Sequence, residues 1–180
     1  MLQTFLINIL FITLPVLLFV IFIDNYKGKK NLFYYIFSSI VSMFLCMIYP
    51  IRLELGFTVD LRYIPYINLA LYGCHKTLLP LYITLNIVRF FVCGEGMFQF
   101  FIFSTLTFII IPLVHKKFIS LSPKNRIITG IIIVLVNGLT YLILLSTYFE
   151  TLTSEYWNVV GYVIITYAVI MLFNMIMIEK

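Results

Sequence analysis

The sequence predicts an all-α, polytopic transmembrane helix bundle: five long spans plus a short helical hairpin, six to seven helices in all. Three observations predict it. Of 180 residues, 63% are hydrophobic and only 11% are charged, against about 25% charged in an ordinary soluble domain. Five apolar segments, 4–23, 32–49, 97–114, 127–149 and 156–178, reach the roughly 17–25 residues that a helix needs to cross the hydrocarbon core. The basic residues concentrate in short loops between apolar runs. Such a composition excludes a disordered chain, a collagen-like fibre and a disulfide scaffold, and it leaves too few charges to coat a soluble globule. By length the chain is one domain, 1–180.

The first segment has no Lys or Arg before it in Met1–Thr4 and no small-residue cleavage site, so an uncleaved helix is expected rather than a signal peptide. Pro15 lies in its middle and should kink it. The following loop carries Lys27, Lys29 and Lys30, and the loop at 115–126 carries Lys116, Lys117, Lys124 and Arg126. Both should be cytoplasmic. The 150–155 loop has two acids and no base and should lie outside, which puts the N-terminus outside and the C-terminus inside. The net charge of +5 therefore reads as an orientation signal, not as a nucleic-acid surface.

Between the second and third long segments lies a less regular region, 50–96, with two shorter apolar runs, 63–73 and 77–92. Because the loop starting at Pro50 is outside and His115 inside, an odd number of crossings separates them. The two runs either both cross, as a hairpin turning at Cys74-His75-Lys76, or neither does. The first option gives seven helices and the second five. Lys76 favours a cytoplasmic tip; a re-entrant hairpin is the alternative, because irregular backbone at depth is tolerated where protein covers it. Further on, Ser122-Pro123 has the form of an N-cap followed by proline in the first turn. Tyr156 and Trp157 sit where an aromatic belt would anchor the last helix at the outer surface.

Residues for chemistry are few. Cys46, Cys74 and Cys93 show no CxxC spacing and read as inert thiols, so no metal site is expected. No HExxH, GxSxG, P-loop or GxGxxG occurs, so neither a catalytic domain nor a cofactor is expected. The informative stretch is 50–96, which gathers Arg52, Glu54, Asp60, Arg62, His75, Lys76, Arg89 and Glu95. An ionisable side chain inside a membrane segment is costly and pairs or faces a cavity. Arg89 lies about one turn from the outer end of its helix. It either snorkels to the headgroups or faces the bundle, paired with Asp60 or Glu95, at the floor of an outward pocket. Asp60 is suited to cap the short helix; two residues from Arg62, it does not share a helix face with it. Pro65 falls in that helix's first turn. Tyr72-Gly73 ends it, with glycine allowing a left-handed turn or a close helix contact. His75 and His115 read as isolated cytoplasmic histidines. Asn8, Asn68, Asn86, Asn137 and Asn174 read as helix-to-helix glue, and Phe98, Phe100, Phe101 and Phe103 as lipid-facing or packing residues.

Gly56, Asp60-Leu61-Arg62, Pro65, Tyr72-Gly73 and Arg89 together resemble the LytS-type five-transmembrane sensor domain of bacterial receptors. That domain carries a Gly–Asp–x–Arg stretch, a short helix ending in paired glycines, and a helix with a late arginine. The second glycine is Cys74 here. Across most of the chain the sequence is similar to the N-terminal membrane region of KinB-type sporulation sensor histidine kinases, through Asn8–Phe19, Tyr49-Pro50-Ile51, Arg62–Pro65 and Ile109–Lys117 with the following Ser-Pro-Lys loop. The resemblance implies a sensor of the bacterial inner membrane. A small ligand or other cue would act at Asp60, Arg62, Arg89, Tyr72 and Glu95, with Gly56, Pro65 and Gly73 shaping turns. It also implies a homodimer within the lipid bilayer, and a kinase or other output domain in cis or in trans, since no phosphoacceptor helix or nucleotide-binding domain lies within 1–180. Two alternatives stand beside it. One is the substrate-binding membrane subunit of an energy-coupling-factor transporter, although the first helix lacks the small-residue AxxxA docking stripe. The other is an accessory scaffold.

Overall fold

Seven helices form over the described residues: α1 (Leu2–Ile23), α2 (Lys29–Ile48), α3 (Tyr63–Tyr72), α4 (His75–Val92), α5 (Met97–Ile119), α6 (Pro123–Ser146) and α7 (Ser154–Glu179). The computed structural model describes residues 2–23, 29–49, 51–52, 58–59, 61–73, 75–92, 97–146 and 154–179. Inside the stretch expected to be irregular, β1 (Ile51–Arg52) pairs antiparallel with β2 (Thr58–Val59), in the register Ile51 to Val59 and Arg52 to Thr58. The all-α expectation holds apart from this two-rung ladder. Of the described segments, α5 and Gly161–Glu179 within α7 are long and apolar enough to cross a membrane. The described apolar parts of α1 and α2, Leu6–Leu18 and Phe33–Ile48, are shorter.

The sequence of α3 explains its place. YIPYINLALY has no charged residue and no polar face, and a helix that is apolar all round belongs inside. Residues Tyr63 to Leu71 are all buried, and α3 packs against α5, α2, α4, α6, α1 and α7. Pro65 costs this helix nothing, because the first four amides of a helix have no intrahelical acceptor. Around α3 the core gathers Met43, Leu81, Phe103, Phe118 and Met171. The outer faces are apolar too, with Leu6, Phe37, Phe91, Leu113, Ile143 and Tyr162 exposed.

Proline is also accommodated in α1. Pro15 has no N–H for the carbonyl of Phe11, one turn earlier. The Ser42 hydroxyl of α2 donates to that carbonyl at 2.5 Å, so the bond lost within α1 is replaced by one that ties α1 to α2. Asn8 Nδ2 donates to the Tyr49 carbonyl at 2.7 Å, just past the end of α2. Elsewhere, Ser104 donates to Asn86 Oδ1 at 3.1 Å and Thr107 to Asn137 Oδ1 at 3.2 Å, joining α5 to α4 and to α6. The glue reading of Asn8, Asn86 and Asn137 matches these bonds. At the start of α6, the Arg126 amide donates to the Ser122 carbonyl at 2.9 Å, which makes Ser122 the cap and Pro123 the first helical residue, as read from the sequence.

α3 and α4 form a tight hairpin, and Gly73 is what permits it. Of the two roles open to this glycine, the structure uses the close contact. Its φ of −95° is available to any residue, but a Cβ there would collide with the Thr77 side chain and lie 2.7 Å from the Leu69 carbonyl oxygen. We expect Gly73→Ala to destabilise the bundle by about 1–3 kcal/mol through overpacking. Gly130→Ala, which meets the flexible side chains of Met175, at 2.6 Å, and Met171, at 3.4 Å, should cost clearly less. Paired thermal unfolding in detergent reads the difference, and equal midpoints would refute it.

Candidate functional site

The structure brings two of the sequence-predicted residues together and separates a third from them. Arg62 occupies the N-terminal cap position of α3 in right-handed helical geometry and is only 8% exposed. Its guanidinium carbon lies over the Phe100 ring, 5.2 Å from the centroid. Arg89, in the last turn of α4, lies over the same ring at 5.4 Å. Phe100 itself is 3% exposed. Arg89 therefore turns towards a buried ring of the bundle, which matches the inward direction, though not the pocket floor, of the second expected arrangement. Asp60, Glu95 and Gly56 lie outside the described residues, and with them the expected pairing of Arg89 and the capping role of Asp60.

An aromatic box supports the pair. Tyr63 of α3 meets Phe103 edge-on at 5.1 Å, Phe100 at 6.1 Å and Tyr141 at 6.4 Å, and Phe103 meets Tyr141 at 5.0 Å. Rings from α3, α5 and α6 thus hold Phe100 in place. A cation over an aromatic face gains about 0.5–2 kcal/mol, whereas removing a guanidinium from water costs several. Arg89 Nε is buried with no hydrogen-bond acceptor among the described residues. Two cations thus share one ring, and Arg62 makes a further contact besides it.

Tyr72 does not join the arginines. It ends α3, about 15 Å of helix rise from Arg62, and it belongs to a second polar cluster. Its hydroxyl donates to Glu179 Oε1 at 2.5 Å and lies 3.6 Å from Met175 Sδ. Arg126, in the first turn of α6, reaches the same carboxylate oxygen at 3.1 Å. The Glu179 side chain is 7% exposed and that of Arg126 is 22% exposed. The Tyr72 ring packs edge-on against Phe118 at 5.3 Å. His115, read from the sequence as isolated, instead has Nδ1 2.7 Å from the Leu71 carbonyl. That carbonyl is among the last of α3, which have no donor within the helix. His75 likewise stands edge-on to Phe108 at 5.7 Å.

No protein-family model, curated protein or solved structure matches this chain.

Sequence reading passed over Phe100 as a site residue, and over Arg126 and Glu179 as a pair. Phe100 lies in an aromatic run where neighbours Phe98 and Phe101 are exposed, and nothing in the run marks the buried member. Arg126 is one of four bases in its loop, and Glu179 is one acid after a long apolar helix. The available signal was that acid itself. It stands four residues after Met175 and eight after Met171, and so continues the α7 stripe on which both methionines are buried.

Proposed function

We propose that this chain is the signal-input module of a bacterial membrane receptor, of the kind represented by LytS-type sensors and the membrane region of KinB-type histidine kinases. In this reading it is a multi-pass protein of the cell membrane, with the N-terminus outside and the apolar outer faces of the helices against lipid. Lys116, Lys117, Lys124 and the α3–α4 turn lie on the cytoplasmic side. Charge parity allows either option; the contact of His115 with the Leu71 carbonyl, at the end of α3, supports the one with seven helices, in which the α3–α4 turn lies beside the basic loop and α3 is a short, enclosed helix. The cue, a small ligand or other signal, acts at Arg62, Arg89 and Phe100 near the outer end. The last helix hands the change to a cytoplasmic output domain.

One observation carries this reading. α3 is buried along its length, has the Arg62–Phe100–Arg89 cluster at one end, and bonds through Tyr72 to the last turn of α7 at the other. An event that repositions α3 at the arginine end thus has a direct mechanical connection to the helix that would drive output. A ligand shifts such an equilibrium only by its differential affinity for the two arrangements, and charges held on one side of a movable helix provide that difference.

The test joins the full chain, after Lys180, to a histidine-kinase catalytic core and reads basal autophosphorylation in lipid vesicles. Arg62→Ala and Arg89→Ala should each change it by about tenfold or more, equivalent to about 1.4 kcal/mol of shifted balance, with Arg89→Lys intermediate. Unchanged autophosphorylation in both alanine variants, with normal insertion, would sink the proposal.

A further inference from the structure

We infer that Tyr72, Arg126 and Glu179 form a releasable latch on the last turn of α7, and that the released arrangement gains hydrogen bonds for Asn68 and Asn174 that the latched one lacks. The inference deepens the sensor reading, and it rests on that reading only for what the movement is used for. In the latched arrangement a single carboxylate oxygen takes both the Tyr72 hydroxyl, from α3, and the Arg126 guanidinium, from α6. Three helices meet at one atom. Next to that atom, the contact is made by adaptable groups. Met175 Sδ lies against the Tyr72 hydroxyl, and the Met175 and Met171 side chains fill the space beside Gly130 on α6. Methionine repacks at low cost, so α7 can shift here without opening a rigid interlock.

The opposing half of the balance is polar. Asn68 and Asn174 are buried at 1% and 0% exposure, and neither the amide nitrogen nor the amide oxygen of either one has a protein partner among the described residues. Asn68 lies one helical turn before Tyr72 on α3, and Asn174 five residues before Glu179 on α7. Buried amides without partners are expensive. A shift of α7 along α3 that breaks the Glu179 bonds brings these amides past new backbone and side-chain groups. The gain at the asparagines offsets part of the loss at Glu179, so the latched arrangement is the populated one and weakening the latch brings up the released one.

The test uses the full chain in lipid nanodiscs, with spin labels at Ile119→Cys and Ile176→Cys, both exposed positions, and the native cysteines replaced by alanine. Pulsed dipolar spectroscopy reads the distance between the ends of α5 and α7. Glu179→Gln, which removes the charge, and Tyr72→Phe, which keeps the ring on Phe118, should each add a second distance population. Asn174→Leu, placed on the Glu179→Gln background, should remove that population again. A distribution unchanged by both latch variants would overturn the inference. So would a second population that survives Asn174→Leu. The kinase fusion separates the two readings. If the distances respond while autophosphorylation does not, the latch stands and the sensor reading falls. If Arg62 and Arg89 variants alter autophosphorylation while the distances stay fixed, the latch falls and the sensor reading stands.

Discussion

Replacing Arg126 by methionine should destabilise the bundle by about 3 kcal/mol, the lower end of the loss when one member of a buried ion pair is removed, because Arg126 is 22% exposed. The reason is the partner left behind. Glu179 is 7% exposed, and without Arg126 its carboxylate retains one neutral donor, the Tyr72 hydroxyl. It must then stay charged in a poor environment or take up a proton. Removing both members restores most of the loss, because apolar replacement of a buried pair is commonly neutral or favourable. Arg126→Met with Glu179→Leu should therefore be more stable than Arg126→Met alone. Tyr72→Phe deletes one bond to a charged acceptor and should cost about 1.5–3 kcal/mol. Denaturation in mild detergent, monitored by the loss of helix signal, measures all three. An Arg126→Met midpoint equal to that of the unaltered chain would show that the pair does not contribute.

Replacing Phe100 by leucine should cost about 2–4 kcal/mol, more than its small change in size suggests. The ring is buried and serves two guanidiniums at once, at 5.2 and 5.4 Å. Leucine fills much of the volume but has no negative face, so both cations lose a favourable contact of up to about 2 kcal/mol each. Phe98→Leu, two residues away on an exposed face, is the control and should be within about 0.5 kcal/mol of the unaltered chain. If the two substitutions cost the same, the cation contacts carry no weight. In the kinase fusion, Phe100→Leu should also reproduce the effect of Arg89→Ala, because the ring is what both arginines share.

Helix positions were largely legible in the sequence because apolar runs and their breaks are local signals. α1, α2, α5, α6 and α7 fall on the five expected segments, and Ser122-Pro123 marks the start of α6 correctly. The two shorter helices were legible as apolar runs, but the turn was expected at Cys74-His75-Lys76, whereas His75 and Lys76 already lie in α4. What stayed hidden was which side chains meet. In a chain this apolar, inward and outward faces look alike, so Phe98 and Phe100 cannot be told apart from composition. Arg62 and Arg89 stood out because charge is costly at depth. Tyr72 stood out as well, but its partner did not: Glu179 lies 107 residues away, and no local pattern encodes that separation. The same holds for Ser42 and the Phe11 carbonyl, where Pro15 announced a freed acceptor without saying which residue would satisfy it.

In the proposed sensor, the two ends of α3 act as one element. The most direct measurement of this is the Ile119-to-Ile176 spin-label distance in the full chain, taken in Arg89→Ala with the latch residues untouched. A substitution at the arginine end is then read at the far end of the bundle, next to Glu179. Coupling through α3 requires Arg89→Ala to redistribute the same distance populations that Glu179→Gln redistributes. A distribution identical to that of the unaltered chain, with the protein folded and inserted, would contradict it.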